Sequence, residues 1–170
     1  MKTVFTIEDC MKLRTYLLDN FREILETEET HKYFGHCNLF LTGGAVKDIL
    51  NDKEPKDIDI VVLTYSTLDI IKDFVVEYCG STEYRKNRFN GYSIHKGNMS
   101  IDIWQTNDML KAIEYNMDGL FYDIDSNKII SFGFNKGIEE HKLEILNNNS
   151  SVIDTKRKEE RIKKLQSYLE

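Results

Sequence analysis

At 170 residues with a formal net charge of -6, the chain is long enough for one domain with a buried core and too short for two full ones. The acidic balance excludes a broad nucleic-acid-binding surface, which needs clustered Lys and Arg, and leaves room for a local basic patch only. Cys10, Cys37 and Cys79 have no CxxC spacing, which excludes a disulfide framework and fits reduced thiols.

The opening MKTVFTIEDC lacks the apolar run of a signal peptide, and no later stretch approaches a membrane span, so a cytoplasmic location without a membrane partner is expected. From about Ile7 to about Glu28 the pattern predicts a helix, with Thr6 as N-cap and Asp9 three residues on. Its apolar residues Ile7, Met11, Leu13, Leu17, Leu18, Phe21, Ile24 and Leu25 form one broad stripe for packing. The charged segment Glu26 to His36 reads as a solvated linker, because His31, His36 and Cys37 fit no metal-binding spacing.

The stretch LFLTGGAVKDILNDKEPKDIDIVVL, Leu39 to Leu63, predicts a strand from Asn38 to Leu41, a Gly43-Gly44 turn, a short helix ending by Asn51, and a second strand delivered by Pro55. Period-2 alternation puts Asp57 and Asp59 side by side on one strand face, with Ile58 and Ile60 on the core face. Two carboxylates that close repel, and a divalent metal is the usual reason for their coexistence, although a polar edge strand also carries such pairs. A glycine turn entering a helix cradles phosphate. Together these features point to nucleotidyl transfer.

Ser66 or Thr67 is expected to cap a helix through Val76, with Leu68, Ile71, Phe74 and Val75 inward and Gly80 as its stop. A hairpin follows: Arg88 to His95, a Lys96-Gly97-Asn98 turn, and Met99 to Trp104. Ile101 and Ile103 face the core on the returning strand, so Asp102 faces the other way and is a candidate third carboxylate. The run Arg85, Lys86, Arg88 is either a solvated loop or an arm that brings Arg88 or Lys86 to a nucleotide's triphosphate or to an acceptor. Trp104 is either packing or a platform for a base. Beyond a short helix from Asn107 to Tyr115 comes a hairpin with Ser126-Asn127 at its tip. The chain ends in a charged helix, Ile153 to Leu169, basic on one face and packed by Ile162, Leu165 and Leu169.

Gly43, Gly44, Ala45, Val46, Lys47, Asp48 followed by Asp57 and Asp59 resembles the signature of the tRNA nucleotidyltransferase and poly(A) polymerase head domain, within the DNA polymerase beta-like nucleotidyltransferase superfamily. Lys47 stands where that family has Arg, which keeps the charge and loses the planar grip. Asn116, with Met117 to Asp123 after it, is similar to the family's second motif, although only Lys111 remains of the basic run before it. Asp154 and Arg157 are spaced like a base-selecting pair, alongside the plainer reading of a terminal helix.

The resemblance covers about Leu39 to Ile145. It implies an α/β (α+β) fold, a small mixed nucleotidyltransferase palm sheet flanked by helices, with N- and C-terminal helices attached. The expected organisation is a head domain over 1–150 and a charged helix over 151–170. The implied enzyme is a Mg²⁺-dependent, or Mn²⁺-dependent, nucleotidyltransferase that moves NMP from an NTP to a hydroxyl and releases pyrophosphate. Asp57, Asp59 and Asp102 would be catalytic and hold the metal; Gly43, Gly44, Lys47, Arg88 and Asn116 would meet the nucleotide. An RNA acceptor such as a tRNA 3′ end is the leading expectation, with a partner subunit supplying acceptor grip. A protein side chain or small molecule as acceptor, and a non-catalytic NTP-binding module, are the alternatives.

Overall fold

The fold was established from a computed structural model, which describes residues 1–26, 28–79, 84–87, 90–96, 98–147 and 155–170. Helix α1 (Ile7–Leu25) begins with a capping box: Asp9 N–H donates to Thr6 Oγ1 at 3.3 Å, and Thr6 N–H donates to Asp9 Oδ2 at 2.7 Å. Leu13, Leu17 and Phe21, spaced by four, are its buried stripe. Ile7 and Met11 lie about 80° and about 120° round the helix from the centre of that stripe and are exposed, so the buried apolar face is narrower than the composition suggests. The segment read as a solvated linker contains a second helix, α2 (Glu28–Phe34), anchored by buried Phe34 against Phe74 at a ring separation of 4.8 Å.

Strand β1 (Asn38–Thr42), helix α3 (Gly44–Leu50) and strand β2 (Asp57–Leu63) follow the predicted pattern. Helix α4 (Ile70–Cys79) starts later than expected: Asp69 Oδ1 accepts from Lys72 N–H, and Leu68, expected inward, is exposed ahead of the helix. The basic run forms a short strand, β3 (Tyr84–Lys86), paired with β4 (Tyr92–Lys96), so neither a loop nor a free arm describes Arg85 and Lys86. Arg88, Gly80, Ile153 and Asp154 lie outside the described residues. Strand β5 (Met99–Thr106), a 3-10 turn at Met109–Ala112 and another at Asn116–Asp118 lead to the hairpin β6 (Leu120–Asp123) and β7 (Lys128–Ser131). Helices α5 (Phe134–Glu140) and α6 (Thr155–Ser167) complete the described elements.

The strands form one mixed sheet in the order β3-β4-β5-β2-β1-β6-β7. Every neighbouring pair is antiparallel except β2 with β5, which is parallel and reached by a crossover through α4 and the β3–β4 pair. Alternation then sorts the side chains. Ile58, Ile60 and Val62 of β2 and Ile101 and Ile103 of β5 join the main core with α1, α3 and α4. The opposite sheet face carries a smaller cluster, Phe40, Val61, Trp104, Met109, Ile113 and Phe121. Trp104 is packed inside it, which takes its ring out of reach of a base. Among the described residues no helix is long and apolar enough to cross a membrane.

Candidate active site

The acidic end of the sheet is built by register. Asp59 pairs with Thr42 on β1 and with Asp102 on β5, and Asp57 pairs with Ser100. Registered partners on adjacent strands share a face and lie about 4.8 Å apart, so Asp59 and Asp102 stand side by side. Both follow in line with Val61 and Trp104, so the carboxylates crown the small apolar cluster. Asp102 is held from its other side by β4: Ser93, its registered partner there, donates its hydroxyl to Asp102 Oδ1 in a short hydrogen bond.

Gly43 links β1 to α3 with φ +71° and ψ −147°, a conformation that side-chain-bearing residues rarely adopt. A Cβ here would lie 2.8 Å from Asp59 Oδ2. Glycine is thus required twice over, for the turn and for the close approach of backbone to carboxylate.

Beside these residues opens a cleft of about 550 Å³, whose walls include Asp57 and Asp59 on one side, Lys53 and Lys56 from the turn before β2, and Lys164 and Tyr168 from the C-terminal helix. Gly44 and Asp48 also border it. Lys164 Nζ stands 3.9 Å from Asp48 Oδ2 and 3.4 Å from the point where a Cβ on Gly44 would fall.

Two residues expected at the nucleotide are used elsewhere. Lys47 is buried; its Nζ donates to the carbonyl of Met117 at 2.8 Å and lies 5.0 Å from the ring centre of Tyr168. Burial pulls its ammonium down to about 8, opposed by Asp118 and reinforced by Lys164 and Arg161. It is not among the cleft walls. Asn116 is buried as well, donating from Nδ2 to Lys142 O at 2.7 Å and accepting at Oδ1 from Glu144 N–H at 2.9 Å. One donor and the carbonyl oxygen of its amide hold the segment after α5. Arg157, on α6, is exposed.

The C-terminal helix is fixed in place by a charged clamp that the sequence alone did not reveal. Arg161 donates to Glu114 Oε2 at 2.7 Å and to Asp118 Oδ2 at 2.6 Å, and lies 5.5 Å from the ring centre of Tyr115. Leu165 enters the main core one turn further on. The burial of Leu165 puts Lys164 and Tyr168 on its flanks, and only the helical period could have indicated that.

The donor set at the acidic end is all carboxylate, the hard-oxygen chemistry that Mg²⁺ and Mn²⁺ prefer. Among the described residues, no three His, Cys, Asp or Glu side chains are drawn as close together as an ion would hold them. Asp102 is turned toward Ser93, while the backbone places Asp57, Asp59 and Asp102 on one face. On its donor chemistry the set fits such an ion.

The sheet order, the glycine turn and the acidic strand pair define a nucleotidyltransferase palm-like fold. Solved structures of CCA-adding enzymes share it. The Thermotoga maritima CCA-adding enzyme complexed with tRNA_CCA is 22% identical, with a TM-score of 0.62 over 95% of this chain and 41% of that one. A CCA-adding enzyme with ATP is 21% identical, with a TM-score of 0.59 over 86% of this chain and 38% of that one. A CCA-adding enzyme with CTP is 21% identical, with a TM-score of 0.58 over 86% and 37%. The chain therefore spans about two fifths of the length of these enzymes, and at this identity the likeness establishes the fold alone. No protein-family model matches the sequence, and no curated protein does.

Proposed function

We propose that this chain is a metal-dependent nucleotidyltransferase that transfers NMP from an NTP to a hydroxyl of RNA, a tRNA 3′ end being the leading acceptor. The observation that carries the reading is the in-register pair Asp59 and Asp102, with Gly43 packed against the first of them and Asp59 itself on the wall of a cleft that Lys53, Lys56 and Lys164 also border. That CCA-adding enzymes of the same fold have been solved with ATP, with CTP and with tRNA supports both the NTP and the RNA.

In this reading the acceptor hydroxyl releases its proton to solvent, its oxygen bonds to the α-phosphorus, the bond from that phosphorus to its bridging oxygen to the β-phosphorus breaks, and pyrophosphate leaves with that electron pair. Asp57, Asp59 and Asp102 would hold divalent ions, which when bound neutralise phosphate charge and favour the ionised hydroxyl. Ser93 engages Asp102 Oδ1, a contact the carboxylate would share or give up on turning toward an ion. Gly43 lets the chain pass close to Asp59, leaving the cleft open at the carboxylates. Lys53 and Lys56 add positive charge where the phosphates would lie.

The net charge of -6 favours a second reading, the same transfer directed at a protein side chain or a small molecule. Incubating the protein with each labelled NTP, Mg²⁺ and either total RNA or lysate protein separates them, with the Asp57→Ala/Asp59→Ala variant as control. Label in RNA that disappears in the variant is the expected result. Label in protein or small molecules selects the second reading, and tight NTP binding without pyrophosphate release for any acceptor leaves a binding module and refutes both.

A further inference from the structure

The C-terminal helix contributes more to the cleft than a wall. We propose that Lys164 of α6 is the ligand-binding cation for the polyphosphate of the nucleotide, seated over the Gly43-Gly44 turn. The inference rests on the nucleotidyl-transfer reading of the cleft.

Lys47 is the cation that the turn's own sequence supplies, and it faces inward, committed to Met117 O and the Tyr168 ring. The turn thus has no positive charge from its own helix on the cleft side, where Asp48 is the charged residue of α3. Lys164 fills that place from the far end of the chain. Its Nζ lies above Gly44, and its side chain is 57% exposed, so it reaches the cleft without first being uncovered. Its one ion-pair partner among the described residues, Asp48 Oδ2, is 3.9 Å away, beyond hydrogen-bond length, and its ammonium donates to no described residue. Three donors are therefore available to phosphate oxygens. A Cβ on Gly44 would meet this ammonium at 3.4 Å, van der Waals distance, so Lys164 lies directly against the turn. Lys53 and Lys56 border the same cleft, so a polyphosphate entering it meets three ammonium groups among the carboxylates of Asp48, Glu54, Asp57 and Asp59. An array of that kind suits a polyphosphate that arrives with divalent ions, its oxygens shared between metal and lysine.

The position of α6 does not depend on Lys164 in the same way. Arg161 and Leu165 fasten the helix through Glu114, Asp118 and the core. Removing the Lys164 ammonium should leave the helix docked.

The test is calorimetric titration of MgATP, MgCTP, MgGTP, MgUTP, inorganic tripolyphosphate and adenosine into the full chain, as wild type, Lys164→Ala, Lys164→Arg and Asp48→Asn. Loss of one charge-assisted phosphate contact should weaken MgATP and tripolyphosphate binding by about ten- to a hundredfold in Lys164→Ala. Adenosine binding should not change, and Lys164→Arg should keep most of the affinity. Asp48→Asn removes the ion-pair partner and keeps the ammonium, so it should bind MgATP as tightly as wild type or more tightly. Equal weakening in Asp48→Asn and Lys164→Ala would mean that Lys164 acts through helix docking, and unchanged affinity in Lys164→Ala would remove it from the site; either overturns the proposal. If wild type binds none of the four MgNTPs, the nucleotidyl-transfer reading fails by itself. Tripolyphosphate binding that depends on Lys164 would then still uphold the anion site, and its absence would overturn that too.

Discussion

Replacing Gly43 by alanine perturbs the site at one defined point. The residue sits at φ +71° and ψ −147°, where a side chain costs about 1–3 kcal/mol of backbone strain. The added methyl would also lie 2.8 Å from Asp59 Oδ2, so the carboxylate or the turn must move. For a chain of this length each kcal/mol lowers the melting temperature by about 2–4 °C, which gives a fall of roughly 2–12 °C for Gly43→Ala. The displaced carboxylate should reduce NTP-dependent pyrophosphate release by about a hundredfold, the usual consequence of an ångström's misplacement of a reacting group. Gly44→Ala is the matched control. Its backbone is ordinary, and its methyl would meet Lys164 Nζ at 3.4 Å and Asp48 Oδ2 at 3.8 Å, near van der Waals contact. Its melting temperature should stay within about 2 °C of wild type. Thermal melts followed by circular dichroism, with a pyrophosphate-release assay on the same preparations, measure both effects. If Gly43→Ala melts with wild type and keeps its activity, the turn neither stores strain nor positions Asp59, and the reasoning fails.

Two further outcomes concern the charges beneath the cleft. Lys47 holds its proton to about pH 8 in the folded chain, against an ordinary 10.5. Below pH 8 both states are charged and the burial penalty is present in full; between about 8 and 10.5 the unfolded chain binds a proton the folded one has released, so stability rises with pH. Wild type should therefore gain on Lys47→Met in urea unfolding between pH 7.5 and pH 10, and a stability difference independent of pH would contradict the burial. Arg161→Leu strands two mostly buried carboxylates, at 11% and 13% side-chain exposure, and should cost on the order of 3 kcal/mol. Adding Glu114→Gln and Asp118→Asn should recover much of it, and a triple variant as unstable as the single one would show that the clamp is not electrostatic.

What the sequence made legible was local. Alternation in DIDIVVL and SIDIW assigns each aspartate to a face without knowledge of the strand order, because the side-chain period of a strand is fixed. The GG turn and the Thr6–Asp9 box are written in adjacent residues for the same reason. The failures are non-local. Nothing in GGAVKDIL indicates that Lys47 turns inward, since its partner is a carbonyl on Met117, brought there by the β6 side of the sheet. Asn116 looked like a ligand-facing amide, and its two partners are backbone groups past α5. The segment before β1 read as solvated because its charges outnumber its apolar residues, yet one well-placed aromatic, Phe34, is enough to fold it against α4. The basic run at Arg85 and Lys86 was extended rather than free because β4 offered it an edge.

The lone parallel pairing in the sheet carries a further consequence. Asp59 and Asp102 meet only if β5, after its crossover, docks on β2 in one register. A slip by a single residue would turn Asp102 toward Ile58 and Ile60 and push Ile101 and Ile103 out of the main core. A buried carboxylate among isoleucines, with no partner, is too costly to persist. The alternating aspartates and isoleucines therefore act as a key for assembly, independently of the chemistry proposed for the acids. A misaligned strand is rejected by the same aspartate that an aligned one stands beside Asp59, so the stable register is also the one that pairs the two acids.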